Sequence, residues 1–185
     1  MKKIFLSLTI IASLNACGQQ KQHTSEQKMP PVKETIEKPS YLVGIKTKAD
    51  LKEQPFVLWF DSGFANYTPD AAIVNEIKKH LDGVIIKAFM GTWCGDSRHE
   101  IPHFYKILDL AGFDEKNLQL ITVDRSKKTP DHLEEGLDIH HVPTLIFYKN
   151  GNELGRFVEY PQDTLEKDIL AIVSGQPYKH SYQTN

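Results

Sequence analysis

The sequence predicts an α/β fold with a central mixed sheet flanked by helices, and two observations support this class. Beyond residue 40, short apolar runs alternate with stretches of helical periodicity, which is typical of parallel strands joined by crossover helices. Near the end of the chain, Asn150-Gly151 separates two apolar runs, and this dipeptide favours a tight turn between antiparallel strands. The expected element order is βαβαβαββα.

The first part of the folded region is expected to hold two strands and one helix. Residues 55–60 are apolar and predict a strand. Residues 69–81 place apolar side chains on one helical face, with Thr68 as the N-cap and Gly83 after the last turn. Residues 84–90 are mostly apolar, as expected of a strand that is covered on both faces.

The second part begins with a turn at Cys94, which is followed by a helix over 95–111. Pro102 should kink this helix and Gly112 should end it. Apolar runs and helical spacing predict the remaining elements, which are strands at 118–123, 144–148 and 154–159 and helices at 131–135 and 164–174.

The chain is expected to comprise four segments. Residues 1–16 begin with two lysines after Met, continue through a short apolar run and end in a small residue before Cys17, which resembles a bacterial lipoprotein signal peptide. In bacterial lipoproteins the cysteine at this position, here Cys17, receives lipid. The alternative interpretation of this apolar segment is a short buried helix. Residues 17–40 are polar and contain prolines, which predicts a disordered tether. Residues 41–178 form the domain, and 179–185 are predicted to be a flexible tail.

Charged residues are balanced along the chain, with 22 Lys and Arg, 24 Asp and Glu and a net charge of −2. This interspersed pattern argues against a nucleic-acid partner and against membrane binding through a basic patch. Attachment to the membrane is therefore expected through lipid on Cys17. The predicted location is the extracytoplasmic side of a bacterial cell envelope.

Residues 93–98 read Trp-Cys-Gly-Asp-Ser-Arg, which is a C-x-x-S motif. In a C-x-x-C pair the first sulfur attacks as a thiolate, and the second sulfur, one helical turn along, resolves the mixed disulfide. Ser97 stands in the second place and cannot form a disulfide with Cys94. Because Cys17 is expected to carry lipid, the thiol chemistry of this chain is monothiol or absent.

Several landmarks resemble the thioredoxin family over most of residues 55–174. Trp-Cys-Gly follows a buried strand and opens a helix, and Pro102 falls eight residues after Cys94, where the family has its helix-kinking proline. The Val-Pro-Thr-Leu sequence at 142–145 resembles the family's cis-proline segment. The resemblance implies a thioredoxin-like fold and thiol–disulfide exchange.

The resemblance and the helix start together indicate a candidate site. Cys94 is predicted to be reactive, because the N-terminal end of a helix favours a thiolate; the alternative is an inert, buried thiol. Ser97 either donates a hydrogen bond to the thiolate or is a remnant of a lost cysteine. Trp93 either shapes a docking surface or belongs to the core. The resemblance implies that Pro143 is cis, lies against the sulfur and leaves the Val142 backbone for substrate; a trans proline is the alternative.

Nearby ionisable side chains are candidates for tuning the thiolate. A protonated His141 would favour it, and His140 and His99 are looser candidates; for each of the three, a solvated surface histidine is the alternative. Asp96 should oppose the thiolate, although a carboxylate also suits the first turn of a helix. Ala88 replaces the buried acid that thioredoxins carry six residues before the reactive cysteine, and this departure agrees with the loss of the second sulfur.

The leading hypothesis is therefore a membrane-anchored thiol protein that forms mixed disulfides through Cys94 with envelope protein thiols or disulfides, or with a small thiol. The alternative is a non-catalytic binding module of the envelope that uses the same groove. A third hypothesis makes Cys94 and His141 ligands of Cu(I), but it offers too few soft ligands. No cofactor and no metal site are predicted.

Overall fold

A five-stranded mixed sheet forms the centre of the computed structural model, which describes residues 41–183. The strands are β1 (Gly44–Lys46), β2 (Val84–Met90), β3 (Leu118–Thr122), β4 (Thr144–Lys149) and β5 (Asn152–Val158). The helices are α1 (Lys48–Leu51), α2 (Val57–Asn66), α3 (Ala71–His80), α4 (Gly95–Ala111) and α5 (Leu165–Ser174), with a short 3₁₀ helix over Glu115–Asn117. The predicted signal peptide, the lipidation site at Cys17 and the tether lie outside the described residues.

The strand order β1-β3-β2-β4-β5 confirms the predicted mixed sheet. β2 and β3 run parallel, whereas β1 pairs with β3, β4 with β2, and β5 with β4 in antiparallel fashion. In this register Thr122 is opposite both Met90 and Gly44, and Phe89 is opposite Thr144. The end of β2, the start of β1 and the start of β4 therefore meet at one edge of the sheet.

The strand predicted at 55–60 is wrong, because α2 begins at Val57. Phe56 and Phe60 are four residues apart and both are buried, whereas Leu58 between them is 71% exposed. That spacing is helical, and the ring of Phe60 packs edge-on against Tyr105 of α4 at a centroid distance of 5.7 Å. Packing against α4 thus overrides the β propensity of this aromatic and β-branched run.

The helix predicted at 131–135 is also wrong, since turns occupy this part of the long connection between β3 and β4. His132 and Asp138 adopt positive φ angles of 53° and 55°, and Gly136 has a φ of 72°. Left-handed residues at this density interrupt an α-helix. Glu134 instead accepts hydrogen bonds from the backbone and hydroxyl of Thr129, which close the turn.

The other helices lie close to their predicted positions, with small differences at their ends. α3 starts at Ala71 because Asp70, and not Thr68, caps it by accepting hydrogen bonds from the amides of Ala72 and Ile73. α4 has the predicted bounds and ends at Gly112, whose φ of 71° is the left-handed conformation that suits glycine. Among residues 41–183, none of the helices combines the length and apolar character required to cross a bilayer.

The two faces of the sheet carry separate apolar clusters. The larger cluster joins one face to α2, α3, α4 and α5 and includes Phe104, Ile77 and Ile169. The smaller cluster lies on the other face, and its members come from β2, β3, β4 and the connection that precedes β4; they are Phe89, Ile121, Val123, Ile139, Val142 and Ile146. Trp93 and Cys94 pack against this smaller cluster. The candidate site therefore rests on its edge.

Candidate active site

Cys94 is the N-cap residue of α4, directly after the turn that follows β2. Its backbone is extended, with φ −87° and ψ 133°, its amide donates to the carbonyl of Gly91 at 2.9 Å, and its own carbonyl accepts from Arg98 at 3.1 Å. The side chain is partly exposed, and Cys94 is the one cysteine within residues 41–183. The sulfur thus lies at the positive end of a 17-residue helix, where backbone amides point outwards.

Two oxygen atoms lie close to the sulfur. The Cys94 thiol donates a hydrogen bond to the carbonyl of Val142 at 3.2 Å, and Asp96 Oδ2 lies 3.7 Å from the same Sγ. The Val142–Pro143 bond is cis, as the resemblance implies. The cis-proline segment therefore lies against the sulfur, although the carbonyl of Val142 is already occupied by the thiol.

Ser97 is fully buried, and its Oγ accepts a hydrogen bond from the amide of Gly91 at 3.2 Å. Within the described residues no hydrogen bond joins Ser97 to Cys94. The hydroxyl thus ties the first turn of α4 to the loop before it. Of the two roles predicted for Ser97, donation of a hydrogen bond to the Cys94 sulfur is therefore not observed among the described residues.

Trp93 is held by three neighbours beside the sulfur. Its Nε1 donates to the carbonyl of Val123 at 2.9 Å, and the guanidinium of Arg125 lies 5.4 Å from the ring centroid. A Cβ on Gly91 would lie only 2.6 Å from Trp93 Cε2, so the ring needs a glycine beneath it. Trp93 therefore packs on the core with one side and remains partly exposed on the other, and its role in docking stays a prediction.

His141 has other partners than the sulfur. Its Nδ1 lies 3.2 Å from Glu159 Oε2, and its ring stacks on Tyr182 with a centroid distance of 3.6 Å. The hydroxyl of Tyr182 also hydrogen-bonds Glu159. His140 is exposed, and His99 pairs with Glu100, so within residues 41–183 no histidine hydrogen-bonds Cys94. Tyr182 belongs to the segment predicted to be a flexible tail, and here it contacts the domain.

The loop that presents Cys94 depends on residues that the sequence analysis did not single out. Arg98 Nε donates to the carbonyl of Thr92 at 2.6 Å, and the amide of Leu42 donates to Thr92 Oγ1 at 3.0 Å. Thr92 is fully buried. The position of Gly91 two residues before Trp93 was a readable signal, whereas the contact between Leu42 and Thr92 joins residues 50 positions apart and had no signal in the sequence.

The middle of β2 carries no acidic side chain at the position where thioredoxins have their buried acid. Ala88 is fully buried and pairs with Leu120 of β3 and Leu145 of β4, so a small apolar side chain occupies this position. With a single sulfur at a helix start and no neighbouring second thiol among the described residues, the arrangement can form one mixed disulfide. It cannot close that disulfide internally.

Comparison with known proteins gives a consistent result. The family model described as Thioredoxin matches residues 62–171. Thioredoxin of Gallus gallus is 30% identical over 98 residues, which cover 53% of this chain and 88% of that protein. Thioredoxin H9 of Arabidopsis thaliana is 29% identical over 97 residues, which cover 52% of this chain and 65% of that protein. The chain thus spans just under two thirds of the Arabidopsis protein.

Solved structures give a weaker likeness. A crystal structure of a protein of unknown function from Pseudomonas aeruginosa superimposes with a TM-score of 0.46 at 20% identity, over 64% of this chain and 81% of that one.

Proposed function

Because the chain belongs to the thioredoxin family, we propose that it is a thiol–disulfide exchange protein that acts through Cys94 alone and is anchored to the cell envelope by lipid on Cys17. The observation that carries this proposal is the position of the Cys94 sulfur. It lies at the N-cap of α4 and against the carbonyl that precedes the cis proline. A thiol in that position is available to an extended substrate chain and lies at the positive end of the helix.

The proposed reaction has two steps. The Cys94 thiolate attacks one sulfur of a substrate disulfide, so that a new bond forms to that sulfur and the other substrate sulfur leaves as a thiolate. An external thiolate then attacks the substrate sulfur of the mixed disulfide, which forms a new disulfide and returns Cys94 to the thiolate. An external thiol is required because Ser97 supplies no second sulfur.

The contact with Val142 suggests how substrate and sulfur are coupled. In the free protein the thiol hydrogen occupies the Val142 carbonyl at 3.2 Å. Ionisation of Cys94, which precedes its attack on a disulfide, removes that hydrogen, so the carbonyl becomes free to accept a backbone amide from the substrate. Trp93 and Pro143 would flank the same groove. Substrate pairing with Val142 is thus expected once Cys94 has ionised.

The location is proposed from the sequence. Residues 1–17 have the form of a lipoprotein signal followed by its cysteine, and the domain begins after a polar segment. The partners proposed are thiols or disulfides of envelope proteins, or a small thiol, since disulfides persist outside the cytoplasm.

Acid-quenched trapping tests this proposal. The full-length protein is isolated from its native envelope under acid, and species linked to Cys94 are identified by mass spectrometry with and without reductant. We expect reductant-sensitive adducts on Cys94, and a Cys94→Ser variant is the matched control. An absence of adducts on the wild-type protein, or the same adducts on the control, would show that Cys94 does not exchange.

A non-catalytic binding module is the second candidate, and two contacts favour it. The thiol proton is already donated to Val142, and the Asp96 carboxylate lies 3.7 Å from Sγ, which disfavours a negative sulfur. Reaction of the folded protein with iodoacetamide near neutral pH separates the candidates. Because the sulfur is partly exposed in either case, the rate decides. A binding module would be modified no faster folded than unfolded, whereas an exchange protein would be modified faster while folded, since the helix start favours its thiolate.

A further inference from the structure

A second group of chemically active side chains lies on α4, away from the sulfur. Residues 99–103 read His-Glu-Ile-Pro-His, so two histidines are spaced four residues apart with a glutamate between them. On a helix this H-E-x-x-H spacing places both imidazoles on one face, where they can share one metal ion. The sequence analysis predicted no metal site, so this arrangement is a departure from it.

The structure brings the three polar side chains together. One ligand atom from each of His99, Glu100 and His103 lies within 4.8 Å of the others. The two imidazole rings are 4.5 Å apart at their centroids, and His99 Nδ1 lies 2.9 Å from Glu100 Oε1. Two nitrogens and one carboxylate oxygen are thus collected on a single turn.

Two of the three side chains are already fixed by their neighbours. Glu100 is only 5% exposed, and the ring of His103 stacks on Tyr67 with a centroid distance of 4.0 Å. The hydroxyl of Tyr67 hydrogen-bonds Glu166, which holds that ring in turn. The side chain of His99 is 68% exposed and can rotate at little cost. Glu100 and His103 are therefore held in place, whereas the side chain of His99 can change its rotamer.

An open cavity borders these side chains. It has a volume of about 430 Å³, and its lining includes His99, Glu100 and His103 together with Asp163 and Glu166 from the start of α5. Water molecules or a further carboxylate can complete a coordination shell from this side. Asp163 is paired with Lys167 at 2.6 Å, so Glu100 and Glu166 supply the negative charge that favours a cation there.

We propose that His99, Glu100 and His103 form a binding site for a divalent transition metal ion of the zinc class. Imidazole and carboxylate ligands suit zinc, with metal–nitrogen and metal–oxygen bonds of about 2.0–2.2 Å. Tetrahedral ligands at such distances are about 3.4 Å apart, whereas the present ligand atoms lie within 4.8 Å of one another and His99 Nδ1 lies 2.9 Å from Glu100 Oε1, so the side chains must readjust when they bind the ion. Rotation of the exposed His99 side chain can adjust its distances to the other two ligands. This site does not depend on the proposed chemistry of Cys94.

Zinc binding by the full-length protein tests the proposal. The protein is titrated with Zn²⁺ alone by calorimetry, and the same titration is made with His99→Ala, His103→Ala and Glu100→Gln. Loss of even a hydrogen-bonding partner of a ligand costs roughly 10- to 100-fold in metal affinity, so each of these changes is expected to cost at least as much. Because His99 is exposed, His99→Ala should retain the fold even if His103→Ala does not.

Two control variants make the result specific. His80→Ala removes a histidine at the end of α3, and Cys94→Ser removes the thiol; both are expected to bind Zn²⁺ as tightly as the wild type. Substitution of Co²⁺ should give an absorption spectrum of nitrogen and oxygen ligands without a thiolate charge-transfer band. Equal loss in His80→Ala, loss in Cys94→Ser, or full binding by His99→Ala would each overturn the proposal.

Discussion

The Oγ of Ser97 accepts a hydrogen bond from the amide of Gly91 at 3.2 Å, so the residue that replaces a resolving cysteine is bound to the loop that carries Cys94. Both groups are buried. The serine therefore has a structural partner of its own, and its side chain occupies the place where a second sulfur would have to fit. Substitution of this one atom is the most direct test of the monothiol hypothesis.

Ser97→Cys is expected to create a dithiol pair with Cys94, because position 97 follows one helical turn after the N-cap. The oxidised variant should contain an intramolecular disulfide by mass spectrometry, and the variant should reduce insulin faster than the parent. The gain should be partial, since Ala88 supplies no acid. Ser97→Ala is the control: it gains no activity and loses about 1–3 kcal/mol of unfolding free energy, because the Gly91 amide is left unpaired.

Gly91→Ala should displace Trp93, because the added Cβ would lie 2.6 Å from the indole ring. We expect the free energy of unfolding to fall by about 1–3 kcal/mol, as in other overpacked sites. The indole N–H resonance of Trp93 should shift as its bond to Val123 is disturbed. Gly95→Ala is the matched control, since its Cβ meets no atom within 4 Å; a similar loss there would contradict this account.

Asp96→Asn is expected to speed the reaction of Cys94 with iodoacetamide near neutral pH. Asp96 Oδ2 lies 3.7 Å from the sulfur, and a thiolate formed there would be repelled by the carboxylate. Unit charges about 4 Å apart in water interact by about 1 kcal/mol, which corresponds to about a fivefold change in rate. The difference should shrink at high salt. Asp82→Asn, at a distant exposed position, should react at the parental rate.

Cys17→Ser should release the protein into the soluble fraction with its fold intact. The apolar core described above is formed by residues after position 41, and the sequence assigns membrane attachment to lipid on residue 17. Fractionation of cells and circular dichroism of the released protein check the two parts of this expectation. Retention of the variant on membranes after a high-salt wash would contradict the lipoprotein hypothesis.

The pH dependence of stability can be tested at the start of α1. The hydroxyl and the amide of Thr47 both donate to Asp50 Oδ2, at 2.8 and 2.7 Å, and these hydrogen bonds lower the pKa of Asp50. A lowered pKa means that the stabilisation is complete above the unfolded value of 3.8 and disappears as the pH falls through the folded value.

Asp50→Asn should therefore cost at most about 1 kcal/mol near neutral pH, the usual size of a helix-start interaction at a partly exposed site. The difference from wild type should vanish in acid below the folded pKa. Urea unfolding near neutral pH and below the folded pKa of Asp50 measures this difference in unfolding free energy, with Asp82→Asn as the control. A loss that persisted unchanged in acid would show that the carboxylate charge is not involved.

The sequence predicted the parts of this protein that follow local rules. Alternating apolar runs and the Asn-Gly turn gave the mixed sheet, and the C-x-x-S motif after β2 gave the helix start at Cys94. The strand expected at 55–60 failed because Phe56 and Phe60 suit either period, and only packing against α4 selects the helix. β1 was missed because it has three residues and is held by pairing with β3.

Contacts between distant residues were beyond sequence reasoning. His141 is two residues from Pro143, which suggested a role at the sulfur, but Glu159 and Tyr182 hold its ring instead. Conversely, the three side chains of the candidate metal site are close in sequence, and their spacing was readable before the structure. The sequence alone could not predict that the ring of Tyr67 stacks on His103, which fixes one of the proposed ligands.

The hydrogen bond from Leu42 to Thr92 determines where the chain enters the domain. It places Leu42, near the start of the described residues, at the same sheet edge as Cys94, because the bond is received by Thr92, two positions before Cys94. Under the proposed anchoring, the end of the domain that follows the predicted tether is therefore the end that carries the thiol. Fully extended, the 24 residues from 17 to 40 would span roughly 80 Å at most. The sulfur would then stay within about that distance of the bilayer, which favours substrates that are themselves membrane-bound.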